Sequence, residues 1–318
     1  MLDREEWNAE VMRFMPSFGA FLQSYEWGMF QEAIGRRVTR LHYTDRDKVC
    51  LASMIHITVG FGVGYQYIPK GPLGNMSEND VLPVLRQYSH NCSFVRIEPN
   101  TAFTVKPVDD TQPRATILID LRKGMDQVLQ GMKSKTRYNI RLGERKGVEV
   151  REMDTVREFD AFWLLMKQTA VRDRIRLHDK GYYQKLLKAL SQQGGAHARL
   201  FGAYFEGRLL ASNMIVDFAG VRTYLHGATS NLHRNHMAQY VLHAWLMREA
   251  QVGGLEFFDF WGVAPEVADQ ERHAWAGISR YKRSFGGMYL EMPGTFDYVL
   301  RPVQYEFYRI ARRARRLF

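Results

Sequence analysis

The order of apolar runs between residues 198 and 260 limits most strongly how this chain can fold. Three strand-like runs separated by short turns are followed by a helical stretch and a fourth strand-like run. In order, these are Ala198 to Phe205, Leu209 to Asp217, Arg222 to His226, His236 to Gln251 and Glu256 to Phe260. Glu206-Gly207 forms the first turn, and Gly253-Gly254 ends the helix. The pattern predicts an antiparallel meander followed by a helix and one more strand.

A strand at Val148 to Glu152 and two helices, Val156 to Thr169 and Tyr182 to Leu190, precede the meander. Helix, helix, three strands, helix, strand is the element order of a GNAT-type acyltransferase domain. The first half of the chain approximates this order without visible sequence identity. We therefore predict an α+β protein of two tandem GNAT-like domains packed together, an internal duplication inferred from element order alone.

The predicted first domain covers residues 1–147 and is joined by a C-terminal helix over 298–318, while the second covers 148–297. One half of a GNAT pair usually carries the reaction cleft, which we place in the second domain. The first domain is expected to support the binding site of the acyl acceptor. No segment of about 50 residues has heptad periodicity, so no long coiled-coil arm is expected.

Charge narrows the classes of partner. The 318 residues include 44 Lys plus Arg against 34 Asp plus Glu, a net charge of +10 that favours an anionic partner. Cys50 and Cys92 are too few for a disulfide framework, and the N-terminal Met1 to Trp7 carries three acids and no apolar run. These features predict a cytoplasmic protein.

Two clusters hold much of the positive charge. Met125 to Arg145 is predicted as one long basic helix, on which Arg137, Arg141 and Arg145 form a cationic stripe. This stripe is either a solvated helix face or a surface that follows phosphates. The second cluster interleaves arginines with apolar residues at the C-terminus; its arginines are Arg309, Arg312, Arg313, Arg315 and Arg316. It is a terminal helix packed on the body, a segment lying on an anionic membrane, or an RNA contact.

The sequence lacks the motifs of several common kinds of reaction centre. There is no P-loop, and Ser230, Ser279 and Ser284 lack the setting of a nucleophile elbow. Four histidines of the second half lack ligand spacing and are interpreted as structural or surface residues; they are His226, His233, His236 and His243. The Gln/Arg-x-x-Gly-x-Gly/Ala loop that would hold the pyrophosphate of acetyl-CoA is also absent from the second half. A GNAT-like fold without this loop needs another acyl donor.

Several short segments appear in an order that resembles a known family. They are Gln23-Ser24-Tyr25-Glu26-Trp27-Gly28, Tyr67-Ile68-Pro69-Lys70-Gly71-Pro72, Arg96-Ile97-Glu98-Pro99, Lys135-Thr136-Arg137-Tyr138-Asn139-Ile140-Arg141, Tyr224-Leu225-His226-Gly227-Ala228-Thr229-Ser230, Asp259-Phe260-Trp261-Gly262, and Ser279-Arg280-Tyr281-Lys282 with Phe285-Gly286-Gly287. Together they resemble the FemABX family of peptidoglycan bridge-forming aminoacyltransferases. The resemblance implies transfer of an amino acid of the Gly, Ala or Ser class from aminoacyl-tRNA to the stem-peptide amine of a peptidoglycan precursor, either lipid-linked or UDP-MurNAc-pentapeptide.

The resemblance also implies site residues. Lys282 corresponds to a lysine associated with the donor site, where a cation holds the tRNA terminus or stabilises the oxyanion, or it is an ordinary surface lysine. Asp259, flanked by aromatics, is a candidate acceptor of the amine proton, or it holds the turn at Gly262. Aminolysis of an activated ester needs no separate nucleophile and no cofactor, and none is expected.

The candidate substrate-binding residues lie in both halves of the chain. They are Trp27, Gln31, Arg137, Arg141, His178, Tyr182, Tyr183, Tyr224 and Tyr281. Trp27 and Gln31 lie on a predicted helix that Ser24 caps, near the family's precursor-binding region, where some members carry a basic residue in place of Gln31.

Two other functions share these features. One is an N-acyltransferase that uses acyl-CoA or another carrier, and the other is a non-catalytic RNA- or envelope-binding relative. The expected partners are aminoacyl-tRNA and the precursor, with peripheral contact at the inner membrane face suggested by the basic, aromatic C-terminus. A monomer is expected.

Overall fold

The computed structural model describes residues 2–14, 18–60, 63–266 and 273–317, with side chains as far as Arg313. The chain divides into two compact units. The first is formed by Met1–Arg114 together with Met292–Phe318, and the second by Ala115–Glu291.

The described residues form helices of ordinary length. They are α1 (Arg4–Arg13), α2 (Tyr25–Ala33), α3 (Glu78–Gln87), α4 (Met125–Gly131), α5 (Ser134–Arg145), α6 (Phe159–Asp173), α7 (Lys180–Ala189), α8 (Ala238–Val252), α9 (Ala276–Arg283) and α10 (Pro302–Leu317). Within the ranges described above, no helix has both the length and the apolar character needed to span a bilayer. The 16 residues of α10 are the longest of these helices, so the described residues contain no coiled-coil arm, as predicted.

The strands lie between these helices along the chain, in several places two or more in succession. They are β1 (Arg37–Asp45), β2 (Lys48–Gly60), β3 (Val63–Ile68), β4 (Leu73–Gly74), β5 (Phe94–Ile97), β6 (Pro107–Val108), β7 (Ala115–Asp120), β8 (Glu149–Glu152), β9 (His197–Phe205), β10 (Arg208–Phe218), β11 (Val221–Thr229), β12 (Phe257–Asp259), β13 (Met288–Glu291) and β14 (Thr295–Val299).

The sheet of the first unit has the order β1-β2-β3-β5-β14-β6, with β4 paired to β2. Its strands are antiparallel except for β3 and β5, which run parallel. Strand β14 enters from the far end of the sequence and places Asp297 opposite Arg96. The carboxylate accepts two hydrogen bonds from that guanidinium, at 2.8 and 2.7 Å, and both side chains are buried. The C-terminal segment is therefore part of the first unit.

The sheet of the second unit has the order β13-β7-β12-β11-β10-β9-β8. Strands β9, β10 and β11 form the predicted antiparallel meander, and α8 connects β11 to the parallel strand β12. The apolar face of α8 packs into the core of this sheet through Leu242, Leu246 and Met247, all fully buried. The predicted α+β class and the GNAT-like element order of the second half are confirmed.

The boundary between the units differs from the one predicted at residue 147. Strand β7 pairs with β12 and β13, so residues from Ala115 onward belong to the second sheet. The second boundary falls at residue 291 rather than 297, because β14 pairs with β5 of the first sheet. A strand's sheet is decided by its hydrogen-bonded partners, which element order alone does not specify. Phe318, the end of the predicted C-terminal helix, lies outside the described residues.

The long helix predicted from Met125 to Arg145 is two helices in the structure. Helix α4 ends at Gly131, and Met132 and Lys133 are extended, with ψ of 152° and 145°. A second helix then begins at Ser134. The basic residues assigned to one long stripe therefore lie on the shorter helix α5.

Candidate functional site

An irregularity in β11 separates Tyr224, a predicted substrate-binding residue, from His226, which was interpreted as structural or surface. Ile215 pairs with Tyr224 and Met214 with His226, so Leu225 is an extra residue in the ladder. Directly paired residues share a face of the sheet, and neighbours along a strand alternate between faces. Tyr224 and His226 consequently face opposite sides, although two residues apart they would share a side in a regular strand.

The contacts of the two side chains agree with this assignment. The Tyr224 ring lies edge-on to His243 of α8, with ring centroids 4.6 Å apart. The His226 ring lies edge-on to Tyr183 of α7 at 5.1 Å. A Cβ at position 227 would lie 1.9 Å from the Tyr224 hydroxyl oxygen, so Gly227 gives that hydroxyl its space. Tyr224 is therefore held on the α8 side of the sheet.

A buried carboxylate organises the chain after β12. Asp259 is fully buried, and its Oδ1 accepts hydrogen bonds from the Trp261 amide at 2.7 Å and the Thr116 hydroxyl at 2.5 Å. Trp261 has φ of +55°, in the left-handed region that residues with a side chain rarely adopt. The carboxylate stabilises this turn and thereby directs the carbonyl groups of Trp261 and Gly262.

Lys282 of α9 binds those two carbonyl groups. Its Nζ donates to the Gly262 oxygen at 2.8 Å and to the Trp261 oxygen at 3.3 Å, and the residue is only 6% exposed. The ammonium also lies 5.4 Å from the centre of the Tyr224 ring. Burial lowers the pKa of Lys282 to about 7, against a smaller opposing effect of Asp259. The alternative of an ordinary surface lysine is wrong.

The Lys282 amine therefore changes charge near neutral pH. An ammonium has three N–H donors, and two of them are used by the carbonyl oxygens of the turn. A third donor can contact an oxygen that gains negative charge during a reaction. A pKa close to the working pH also allows the same group to give a proton to a leaving oxygen.

The titration of Lys282 predicts a pH-dependent stability. Between its folded pKa of about 7 and its ordinary value of 10.5, the unfolded chain binds more protons than the folded chain, so stability rises with pH. We expect the free energy of unfolding of the wild type, measured relative to that of Lys282→Met, to rise by about 1 kcal/mol per pH unit between pH 7.5 and 9.5. Denaturant unfolding of both proteins across this range measures the difference. A difference that does not change with pH would contradict a buried, low-pKa amine.

A polar network fixes the aromatic groups around the lysine. His243 is fully buried, with Nε2 3.3 Å from the Asn213 amide nitrogen and Nδ1 2.9 Å from the Tyr281 hydroxyl. The Gln239 amide donates to the Asn213 oxygen at 2.9 Å, and the Gln239 carbonyl lies 3.1 Å from His243 Nδ1. Burial lowers the pKa of His243 to about 3, so the ring is neutral at physiological pH. The network holds Tyr281, the neighbour of Lys282, in one orientation.

The end of α9 is joined to the start of α5. The Lys133 amide donates to the Ser284 carbonyl at 3.0 Å, and the Thr136 hydroxyl donates to the Ser284 hydroxyl at 2.9 Å. Gly286 has φ of +78°, and a Cβ there would lie 2.5 Å from the Gly131 carbonyl oxygen. This close approach needs glycine and holds the chain after α9 against the end of α4, directly before the basic helix α5.

The predicted cationic stripe on α5 is divided between two roles. The Arg137 guanidinium donates to carbonyl oxygens at the end of α4, those of Leu129, Gln130 and Met132. Arg137 therefore caps the C-terminal end of α4, and its guanidinium is engaged within the protein. Arg141 and Arg145 are exposed and remain open to an anionic partner.

Three predicted residues lie together on the other face of the second sheet. The rings of His178 and Tyr182 stack with centroids 3.8 Å apart, and Tyr183 is edge-on to Tyr182 at 5.3 Å. Burial, followed by the nearby His178, lowers the pKa of His226 to about 4. These groups form an aromatic cluster with Tyr183 buried and His178 exposed.

Trp27 and Gln31 belong to the first unit, on α2. Ser24 caps this helix as predicted, accepting a hydrogen bond from the Trp27 amide at 3.1 Å. Trp27 is buried against the rings of Phe21 and Phe30. Gln31 is also buried, and its side-chain oxygen accepts a hydrogen bond from Arg36. Both residues have packing roles within this unit.

Sequence reasoning missed the residues that support the lysine, which are Thr116, Asn213, Gln239 and His243. Gln239 and His243 are four residues apart on α8, which signals one helix face. Their partners come from β10 and α9, and this pairing has no local signal in the sequence. A groove of about 420 Å³ also lies in the first unit, beside Tyr65, Arg96 and Arg312, and none of the predicted site residues lines it.

Comparisons with known proteins agree with this architecture. The chain is 24% identical over 262 residues to the lipid II:glycine glycyltransferase of Staphylococcus epidermidis, covering 62% of this chain and 61% of that protein. The Staphylococcus aureus protein of the same name is 24% identical over 265 residues, with 62% of each chain covered. The chain thus spans about three fifths of the length of these curated relatives.

Solved structures show the same fold. The crystal structure of FemX matches with a TM-score of 0.84 at 19% identity, covering 96% of this chain and 98% of that one. The structure of L-PGS from Bacillus licheniformis matches with a TM-score of 0.56 at 13% identity, covering 95% and 94%. The model of the FemAB family matches residues 101–206 and 196–313, more than half of the chain. The chain therefore belongs to the FemAB family.

Proposed function

We propose that this protein transfers an amino acid from aminoacyl-tRNA to the stem-peptide amine of a peptidoglycan precursor. The observation that carries the proposal is the buried Lys282 amine, held by the carbonyl groups of Trp261 and Gly262 with a pKa of about 7. Membership of the FemAB family supports the same reaction class, as do the two staphylococcal relatives named lipid II:glycine glycyltransferase.

The chemistry is aminolysis of an ester. The acceptor nitrogen attacks the ester carbonyl carbon and forms the C–N bond, and the carbonyl oxygen becomes an oxyanion. The bond from that carbon to the ribose oxygen then breaks, the amine loses a proton, and the ribose oxygen gains one. In the proposed role, the third N–H of the Lys282 ammonium donates a hydrogen bond to the oxyanion and then gives its proton to the leaving ribose oxygen. The neutral Lys282 amine that results takes up the proton lost by the acceptor nitrogen, which restores the ammonium.

Asp259 has a positioning role in this proposal. Its carboxylate is fully buried, and its Oδ1 already accepts from Trp261 and Thr116. These bonds fit the alternative in which Asp259 holds the turn at Gly262, more closely than they fit a proton acceptor in contact with substrate. Asp259 therefore acts through the carbonyl groups that orient Lys282.

The donor is proposed to be aminoacyl-tRNA for two reasons. One is the positive charge of the protein, and the other is that the loop before α8 lacks the glycines of a loop that would hold the pyrophosphate of acetyl-CoA. The segment from Ser230 to Met237 has no glycine, and Met237 itself adopts φ of +54° at the start of the helix. A Cβ at Gly143 of α5 would lie 2.6 Å from the His236 carbonyl oxygen, so α5 packs closely against this loop. The exposed Arg141 and Arg145 on the same helix suit a phosphate backbone.

The acceptor is proposed to be lipid-linked and reached at the inner face of the membrane. The predicted Tyr224 and Tyr281 adjoin Lys282 and are candidates for contacts to the reacting groups. His178 and Tyr182 on the other face are candidates for more distant parts of a substrate.

The test is a donor assay with the purified chain. It is mixed with a pool of radiolabelled aminoacyl-tRNAs and a lysine-containing lipid-linked precursor, and the precursor is then separated by chromatography. We expect label in the precursor, loss of this label after RNase treatment, and a steep fall in transfer as salt rises. Acyl-CoA should not replace the charged tRNA. Acylation that requires acyl-CoA and persists after RNase treatment would contradict the proposal and favour a GNAT-type acyl-CoA reaction.

A further inference from the structure

Helix α10 of the first unit carries one face that packs and one face that does not. The packed face contains Tyr305 and Tyr308, whose rings lie 5.0 and 4.8 Å from that of Phe94. The Tyr305 hydroxyl donates to Asp297 at 2.9 Å, and the Ser93 hydroxyl donates to Gln304 at 2.8 Å. These contacts fix which side of the helix faces the unit.

The opposite face is apolar and exposed. Val303 is 72% exposed, Phe307 65% and Ile310 63%. Their spacings of four and three residues place them in one stripe along the helix. Large apolar side chains arranged in this way are unusual on a water-facing helix and indicate a surface that meets an apolar phase or partner.

Positive charge flanks this stripe. Arg309 and Arg313 lie along one flank, and both are exposed. Arg309 pairs at 2.7 Å with Glu306, which is the one acid in the sequence of α10. Arg312 lies on the packed side, close to the Tyr308 hydroxyl. An apolar stripe beside a row of cations has the chemistry of a helix that lies in the plane of a membrane interface.

We propose that α10 docks this protein on an anionic phospholipid surface, with Val303, Phe307 and Ile310 entering the interface and Arg309 and Arg313 meeting the lipid phosphates. The charge of the helix favours anionic lipid over a neutral bilayer. The apolar stripe distinguishes this surface from an RNA contact, because phosphate backbones are bound by cations and polar groups. The inference extends the proposed lipid-linked acceptor, but it concerns binding and not transfer.

The test is sedimentation of the full chain with vesicles in the absence of tRNA and precursor. One set of vesicles is phosphatidylcholine alone, and the other contains phosphatidylglycerol at one third of the lipid. We expect binding to the anionic vesicles, at least about tenfold weaker binding to the neutral ones, and further weakening by salt. The double variant Phe307→Gln/Ile310→Gln should bind anionic vesicles about tenfold more weakly or worse. The double variant Arg309→Gln/Arg313→Gln should also bind anionic vesicles about tenfold more weakly than the wild type.

Matched variants elsewhere on the chain serve as controls. Val156→Gln/Val171→Gln removes two apolar side chains that are 89% and 83% exposed in the second unit, and it should leave binding unchanged. A fluorescent probe attached at Phe307→Cys should shift to the blue with anionic vesicles, while a probe at Val171→Cys should not. Cys50 and Cys92 are buried and should escape labelling.

Three outcomes would overturn the proposal: no binding by the wild type, equal binding by the Phe307→Gln/Ile310→Gln variant, or a wild-type dimer that this variant dissociates. The last would make the stripe an interface between copies of the chain. Because the assay contains no donor or acceptor, a failed transfer reaction would not affect it.

Discussion

Replacing Lys282 by methionine is expected to lower aminoacyl transfer about 10²- to 10³-fold, the usual loss when one donor to an oxyanion is removed. Methionine has similar length and fills the same buried space without the charge. The turn carbonyls of Trp261 and Gly262 lose their donor, but a buried amine no longer needs to be desolvated. The rate of label transfer at saturating charged tRNA measures the effect, with circular dichroism to show that the variant is folded.

Lys167→Met is the matched control, because Lys167 is exposed on α6 of the same unit. It should transfer at the wild-type rate. The acceptor amine also changes charge with pH, so the pH dependence of transfer is measured with a nucleophile that stays uncharged over the pH range tested. With this nucleophile, the rate of wild-type transfer should fall above pH 7, because Lys282 loses its ammonium charge. Wild-type transfer by a folded Lys282→Met protein would remove the catalytic role.

Breaking the buried ion pair of the first unit should have the largest effect on stability. Asp297→Asn is expected to reduce the free energy of unfolding by about 3–5 kcal/mol, because it leaves the Arg96 guanidinium buried without its countercharge. Tyr305 also loses its carboxylate partner. Denaturant unfolding followed by far-UV circular dichroism measures the loss.

The double variant Arg96→Met/Asp297→Leu tests the cause. It removes both charges together and should recover much of the lost stability, since no uncompensated charge stays buried. Asp45→Asn is a control, because Asp45 is an exposed carboxylate in the same unit, and it should change stability little. If Asp297→Asn were as stable as the wild type, β14 would not be tied to β5 by this pair.

Local patterns predicted the meander of the second unit because turn glycines and alternating apolar residues are short-range signals. The Ser24 cap of α2 was predictable for the same reason. Patterns could not show that Met132 and Lys133 interrupt a helix, since neither residue is a strong helix breaker. The interruption depends on contacts with Ser284, which is distant in the sequence.

The site was predicted in part. The resemblance identified Lys282 and Asp259, but the sequence did not separate their roles, because burial and hydrogen bonds decide them. The boundary at Ala115 depends on strand pairing across more than 130 residues, to β12 and β13. His243 was interpreted as structural or surface, and its contacts with Tyr281 and Tyr224, which are distant in the sequence, link it to the lysine.

The most direct test of the central claim is the mass of the acceptor after reaction with a single charged tRNA. Two lysine-containing precursors are compared, one with a free side-chain amine and one with that amine acetylated. The proposed reaction predicts that the free precursor gains the mass of one aminoacyl residue with wild-type protein and intact tRNA, while the acetylated precursor gains none. No mass gain by the free precursor, or an equal gain by both, would contradict aminoacyl transfer to the stem-peptide amine.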